Sequence, residues 1–121
     1  MENNLIDIAN KMVVKGKGIL AADESTPTCT KRFNGIGVES TYESRNEYRD
    51  MLFSSTGLEE YISGVIMFDE TLRQSTTCQK KELFTDYLIS KNINANYLPK
   101  LNKNRLKSSF FFKACTLIRR K

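Results

Sequence analysis

The sequence predicts an α/β fold with a parallel sheet, and three observations support this prediction. Ile19–Ala22 and Ile62–Phe68 are short apolar runs between turn residues, which is typical of strands buried on both faces. A helical segment joins them, as in a βαβ unit. An acidic loop follows each run, at residues 23–26 and 69–71. In α/β proteins the carboxyl ends of the strands carry the chemistry, so we expect functional residues in these loops.

Helical patterns surround the first strand. Apolar residues recur at helical spacing over about residues 4–14, and Gly16 and Gly18 are expected to end that helix. A short helix is predicted over Thr28–Asn34, and a longer one reaches Phe53. Ser40 and Glu43 have the spacing of a capping box and are expected to open the longer helix.

The longer helix carries a strongly charged face that includes Arg45 and Arg49, and such a face is usually solvated. Beyond it, one helical turn is predicted over Gly57–Tyr61 and a helix over Lys80–Lys91. Residues 93–98 are a candidate third strand, although its asparagines have a low strand propensity and Pro99 closes it.

Composition favours one small domain with a distinct tail. The chain has 121 residues, of which 40% are hydrophobic. Eight of the 19 basic residues lie from Lys100 onward, where no acidic residue occurs. The other 11 basic residues face 14 acidic ones, so the body has a net charge of −3. We therefore divide the chain into a body, residues 1–92, and a basic tail of unknown structure, residues 93–121.

Cysteine and histidine usage excludes some kinds of site. The three cysteines, Cys29, Cys78 and Cys115, are odd in number and far apart, which argues against a disulfide framework and favours a cytoplasmic protein. The chain has no histidine and no Cys-x-x-Cys pair, so we expect no metal site. No secretory signal or membrane-spanning run is predicted.

Four stretches in order resemble the amino-terminal part of class I fructose-bisphosphate aldolases. They are GKGILAADEST at residues 16–26, the motifs KRF and IGVE within residues 31–39, NEYRDMLF at 46–53 and YISGVIMFDETL at 61–72. The resemblance is strongest over residues 16–72, fades to about residue 92 and is absent after that. It implies an incomplete TIM (β/α)8 barrel containing the first two or three βα units.

The resemblance also implies an activity in glycolysis. Class I aldolases are lyases that cleave fructose 1,6-bisphosphate into two triose phosphates through a Schiff base on a lysine. The family uses no metal or other cofactor and is homo-oligomeric, and its substrate is a sugar phosphate. No membrane partner is expected.

Five residues match positions of the family's site. The resemblance implies that Asp23 orients the Schiff-base lysine and a substrate hydroxyl. Ser25 and Thr28 match hydroxyl positions of the sugar-phosphate site, and Lys31 and Arg32 match a basic pair near a phosphate. From the residues alone, Asp23 and Ser25 are also typical of turns and helix caps, and the basic pair is typical of a solvated surface.

The match also lacks residues that the chemistry needs. The family's Schiff-base lysine and proton-transfer glutamates come later in its sequence, and residues 93–121 contain no counterpart. We expect a truncated or frame-shifted polypeptide that does not catalyse by itself. The alternative is a non-catalytic module whose basic tail binds nucleic acid or an acidic partner. The tail has no recognisable nucleic-acid-binding motif, so we do not expect nucleic acid to be the main partner.

Overall fold

The computed structural model describes residues 2–97, which form three strands, five α-helices and one 3₁₀ helix. The strands are β1 (Gly18–Ala22), β2 (Ile62–Met67) and β3 (Asn94–Tyr97). The helices are α1 (Glu2–Met12), α2 (Thr26–Asn34), α3 (Tyr42–Phe53), α4 (Leu58–Tyr61) and α5 (Phe84–Ser90), with the 3₁₀ helix at Asp69–Arg73. Within the described residues, no helix is long and apolar enough to cross a bilayer.

The three strands form one parallel sheet in the order β1-β2-β3, which confirms the predicted α/β class. Leu20 of β1 lies opposite Val65 of β2, and Val65 lies opposite Ala95 of β3. The third strand forms despite its asparagines because the side chain of Asn94 has partners. Its amide donates to the carbonyls of Lys11 at 2.9 Å and Ser63 at 3.2 Å.

The main core lies where the sheet meets α3 and α5. Phe53 and Phe84 pack edge to face with ring centroids 5.1 Å apart. Burying an aromatic or large aliphatic side chain contributes about 1.5–3 kcal/mol, so this contact holds both helices against the sheet. The buried cluster consists of Ala22, Phe53, Val65, Met67, Phe84, Leu88 and Ile93.

Helix α1 packs on β2 through a glycine. A Cβ added at Gly64 would lie only 3.0 Å from Cε of Met12, so the glycine permits the close approach. The hydroxyl of Ser63 donates to the carbonyl of Met12 at 2.5 Å. The predicted apolar face of this helix is only partly correct, because Val13 lies beyond the helix end and is exposed.

The cap of α3 differs from the prediction by one residue. The N-cap is Thr41, whose hydroxyl accepts from the amide of Ser44 at 3.1 Å, and Ser44 accepts from the amide of Thr41 at 2.9 Å. The Ser40–Glu43 capping box is therefore wrong. Serine at the third helical position can make the same reciprocal contact that glutamate usually makes, and this shifts the start of the helix.

Two other helices start away from their predicted positions. Helix α2 begins at Thr26, two residues early, because Pro27 fits the first helical turn, where an N–H is not needed. Helix α5 begins only at Phe84, four residues late. The preceding segment instead forms an antiparallel bridge between Ser75 and Leu83. The predicted basic tail lies outside the described residues from residue 98 onward.

Candidate functional site

The candidate site is the loop that leads from the carboxyl end of β1 into α2. Ala22 is fully buried and fixes the end of the strand. Ser25 is the N-cap of α2 with extended backbone angles, and its side chain caps no amide of the helix. Instead, the hydroxyls of Ser25 and Thr28 lie 3.1 Å apart. The structure thus brings together the two hydroxyls that the sequence predicted for a phosphate site, at a helix N-terminus.

Asp23 lies at the start of this loop and is exposed. Its carboxylate has no hydrogen-bond or ion-pair partner among residues 2–97. A carboxylate without a structural partner is available to a ligand or to another part of the protein. This arrangement differs from that of a turn or cap residue, whose carboxylate would accept a nearby backbone N–H.

The predicted basic pair is divided between two environments. Lys31 and Arg32 both lie in the last turn of α2 and are exposed. Arg32 donates from Nη1 to Oε1 of Glu24 at 2.5 Å. The structure therefore places Arg32 against a carboxylate of the candidate loop, while Lys31 extends from the helix surface.

The sequence analysis missed the principal contact of Glu24, which is with Arg49. Arg49 is only 2% exposed, so the expectation that it is a solvated residue of α3 is wrong. Its guanidinium donates to Oε2 of Glu24 at 2.5 Å and to the Glu24 carbonyl at 2.8 Å. It also donates to the hydroxyl of Thr71 at 3.4 Å. A buried guanidinium needs such partners because an unpaired buried charge is costly.

These contacts set the charge state of Glu24. Partial burial raises the pKa of the Glu24 carboxyl, but a backbone hydrogen bond and the guanidinium groups of Arg49 and Arg32 lower it by more. The net pKa lies below the ordinary value of 4.5, so Glu24 is ionised at neutral pH. Nearby, burial raises the pKa of the Cys29 thiol, which favours an unreactive, neutral cysteine.

A second ion pair ties α3 to the loop after β2. Arg45 binds Glu70 through two parallel hydrogen bonds, from Nε to Oε1 at 2.7 Å and from Nη2 to Oε2 at 2.9 Å. Arg45 and Arg49 are one helical turn apart and each binds the glutamate of an acidic loop. That spacing is visible in the sequence and could have indicated that the two arginines lie on one face of α3 and bind the two acidic loops together.

Metal ligands are a separate question. Among residues 2–97 the structure contains no group of three or more Cys, Asp or Glu residues able to hold a metal ion. The polar side chains that the structure places at the candidate site are carboxylates, hydroxyls and cations.

Comparison with known proteins gives the family. The sequence model of "Fructose-bisphosphate aldolase class-I" matches residues 4–103, which is most of the chain. The chain belongs to the class I fructose-bisphosphate aldolase family. It is 50% identical over 92 residues to the chloroplastic fructose-bisphosphate aldolase 1 of Chlamydomonas reinhardtii, covering 76% of this chain and 24% of the relative. It is 58% identical over 72 residues to the Toxoplasma gondii aldolase 1, covering 60% of this chain and 20% of that protein.

A solved structure of the family has the same fold. The Plasmodium falciparum fructose-bisphosphate aldolase, in complex with TRAP and a small-molecule inhibitor, matches with a TM-score of 0.71 and 40% identity. The match covers 84% of this chain and 31% of that one. The chain thus spans about a quarter of the length of its curated relatives, and its three-stranded parallel sheet is consistent with part of a barrel.

Proposed function

We propose that this chain supplies the first part of the substrate site of a class I fructose-bisphosphate aldolase, which cleaves fructose 1,6-bisphosphate through a Schiff base. In this proposal its three strands are the first of a (β/α)8 barrel. The observation that carries the proposal is the hydroxyl pair of Ser25 and Thr28, 3.1 Å apart at the N-terminus of α2. It lies directly after β1, next to the carboxylate of Asp23, which has no partner within the described part of the chain.

Each proposed role follows from a physical property of the group. Hydroxyls and the positive end of a helix suit a phosphate, so Ser25 and Thr28 are proposed phosphate ligands. Lys31 and Arg32 lie one turn further along α2 and add positive charge. Asp23 is proposed to orient the ammonium of the Schiff-base lysine and a hydroxyl of the substrate, since an ionised carboxylate can accept from both.

We infer from the resemblance that the electron sink of the reaction is supplied by a part of the family's sequence that these 121 residues do not match. The family's Schiff-base lysine lies later in its sequence than the region that this chain matches. We therefore propose that a polypeptide of these 121 residues binds the phosphorylated substrate but does not cleave it.

The binding proposal can be tested by NMR titration of the ¹⁵N-labelled chain with fructose 1,6-bisphosphate. We expect saturable shifts at the amides of residues 25, 26, 28 and 29, and a loss of at least about tenfold in affinity for Ser25→Ala and Thr28→Ala. Ser90→Ala is the matched control, because Ser90 is an exposed serine at the end of α5. Equal affinity for all three variants would contradict the proposed site.

The activity proposal needs a separate measurement. We expect no triose phosphate release and no covalent adduct when borohydride is added to the chain with substrate. Either product would show that a lysine within these residues forms the Schiff base, and would refute the proposed inactivity.

Two further expectations are kept as proposals. The cytoplasm is the proposed compartment on the basis of cysteine usage, whereas the matched relatives from Chlamydomonas reinhardtii and Arabidopsis thaliana are named as chloroplastic. Homo-oligomerisation is proposed from the family alone. The alternative of a binding module depends on the basic tail beyond residue 97, and no contact within the described residues favours it.

A further inference from the structure

Glu24 connects the candidate site to two neighbouring helices, α2 and α3. It is the residue between Asp23 and Ser25, and its main chain is part of the site loop. Its Oε1 accepts from Arg32 of α2 at 2.5 Å and from the Tyr48 hydroxyl of α3 at 3.3 Å. Its Oε2 accepts from Arg49 of α3 at 2.5 Å. Both carboxylate oxygens are therefore used within the protein, which distinguishes Glu24 from the neighbouring Asp23.

Arg49 extends this connection to the second strand-end loop. The same guanidinium that binds the Glu24 carboxylate also binds the Glu24 carbonyl and the hydroxyl of Thr71, in the 3₁₀ helix after β2. The planar guanidinium has donors in fixed directions, so it can satisfy these acceptors together where a lysine cannot. It also lies 5.2 Å from the centre of the Tyr48 ring. The contacts with Thr71 and Tyr48 thus hold the Arg49 guanidinium in place beside Glu24.

The hydrogen bond from Arg49 to the Glu24 carbonyl also orients the backbone of the site loop. The Glu24 carbonyl and the Ser25 amide belong to one planar peptide group, so fixing the carbonyl also fixes the direction of the Ser25 amide. The ion pairs with Arg32 and Arg49 hold the side chain of the same residue. A loop held at its middle residue in this way has less freedom to lose when a ligand binds.

We propose that Glu24, held by Arg49, is a positioning residue that sets the geometry of Asp23 on one side and of the Ser25–Thr28 hydroxyl pair on the other. Glu24 acts through its neighbours and has no contact with substrate. Its part in phosphate binding rests on the function proposed above, whereas its part in ordering the loop does not.

The loop-ordering part is tested by amide hydrogen exchange of the full chain. In Glu24→Gln we expect the amides of residues 23–29, apart from Pro27, which has no amide hydrogen, to exchange at least about tenfold faster, while the amides of β2 keep their wild-type rates. Glu70→Gln is the matched control, since it weakens the corresponding ion pair of the other loop. Unchanged exchange in Glu24→Gln, or an equal increase in Glu70→Gln, would overturn the proposal.

The binding part is tested with inorganic phosphate and with fructose 1,6-bisphosphate as probes. We expect Glu24→Gln and Arg49→Met each to weaken binding about tenfold, and the double variant to be no weaker than the single ones, because both act through one contact. Glu24→Asp keeps the charge with a shorter reach and should restore part of the affinity. Arg45→Met should leave the affinity within twofold of wild type, although it also removes an ion pair of α3.

The outcomes separate the two proposals. If the wild-type chain binds neither probe but Glu24→Gln still loosens residues 23–29, the proposed function fails and the positioning role stands. If the wild type binds and Glu24→Gln binds equally well, the positioning role fails and the proposed function stands. Additive losses in the double variant would also overturn the positioning role, since they would mean that the two residues act separately.

Discussion

The segments after β1 and β2 each contain an aspartate followed by a glutamate, Asp23-Glu24 directly after β1 and Asp69-Glu70 one residue after β2, but the two pairs of acids have different partners. In both loops the glutamate binds an arginine of α3: Glu24 binds Arg49 and Glu70 binds Arg45. The aspartates differ. Asp69 pairs with Arg73 in its own 3₁₀ helix, whereas Asp23 has no such partner among the described residues.

The comparison shows how one motif can serve two purposes. The second loop uses both of its acids within the fold, so it is a structural connection between β2 and the following segment. Of the acids in the first loop, only the glutamate pairs with other described residues. Glu24 binds two arginines, Arg49 on one oxygen and Arg32 on the other, whereas Glu70 binds only Arg45 within residues 2–97. The aspartate of the first loop has no partner in the described stretch, and the hydroxyls of Ser25 and Thr28 contact each other. The predictions below test this difference.

The largest effect is expected from removing the buried arginine. Arg49→Met should lower the free energy of unfolding by about 3 kcal/mol, because it leaves the Glu24 carboxylate without its buried partner. Urea unfolding followed by circular dichroism measures this change. Lys91→Met is the control, with an expected change below about 0.5 kcal/mol, since Lys91 pairs with Glu59 only at the surface and at 4.0 Å.

A smaller effect is expected in the second loop. Arg45→Met should cost about 2 kcal/mol by the same measurement, since it removes two charge-assisted hydrogen bonds to Glu70 in a less buried position. A loss of unfolding free energy as large as that of Arg49→Met would mean that α3 holds the two loops equally firmly, and would contradict the proposed difference between them.

The pH dependence of stability should distinguish Glu24. Its pKa is lower in the folded chain than the ordinary 4.5, so the unfolded chain takes up a proton first as the pH falls. The stabilisation is fully present above about pH 4.5 and is lost as the pH falls through the lower, folded pKa. We expect unfolding free energies measured between pH 3 and 6, chosen as roughly spanning this window, to fall less steeply in Glu24→Gln. Parallel curves would show that Glu24 contributes nothing to acid sensitivity.

The smallest effect is expected at Asp23. Asp23→Asn should change the free energy of unfolding by less than about 0.5 kcal/mol, because the carboxylate is exposed and holds no described part of the chain. The same urea experiment measures it. A loss above 1 kcal/mol, about the average for point mutations, would show that Asp23 is a structural residue like Asp69, and that the first loop has no free acid.

Local sequence patterns predicted the bounds of β1 and β2 more accurately than the start of α5. The apolar runs gave both β1 and β2 within a residue of their observed bounds. The expectation that both strands are buried on both faces is correct for β2 but wrong for β1, in which Ala22 is buried and Ala21 is exposed. The start of α5 was predicted four residues early, because the helical pattern before Phe84 competes with the bridge between Ser75 and Leu83, a tertiary pairing that periodicity does not reveal.

Local patterns in the sequence predict the strands, the loops at their carboxyl ends and the residues that resemble an aldolase site. These depend on neighbours in the chain, so local patterns contain them. The burial of Arg49, and its contact with Glu24 instead of Asp23, depend on how the helices and loops pack in three dimensions. Glu24 and Arg49 are 25 residues apart in the sequence. An arginine suits either solvent or a buried ion pair, so which of the two it occupies depends on whether folding brings a carboxylate to it.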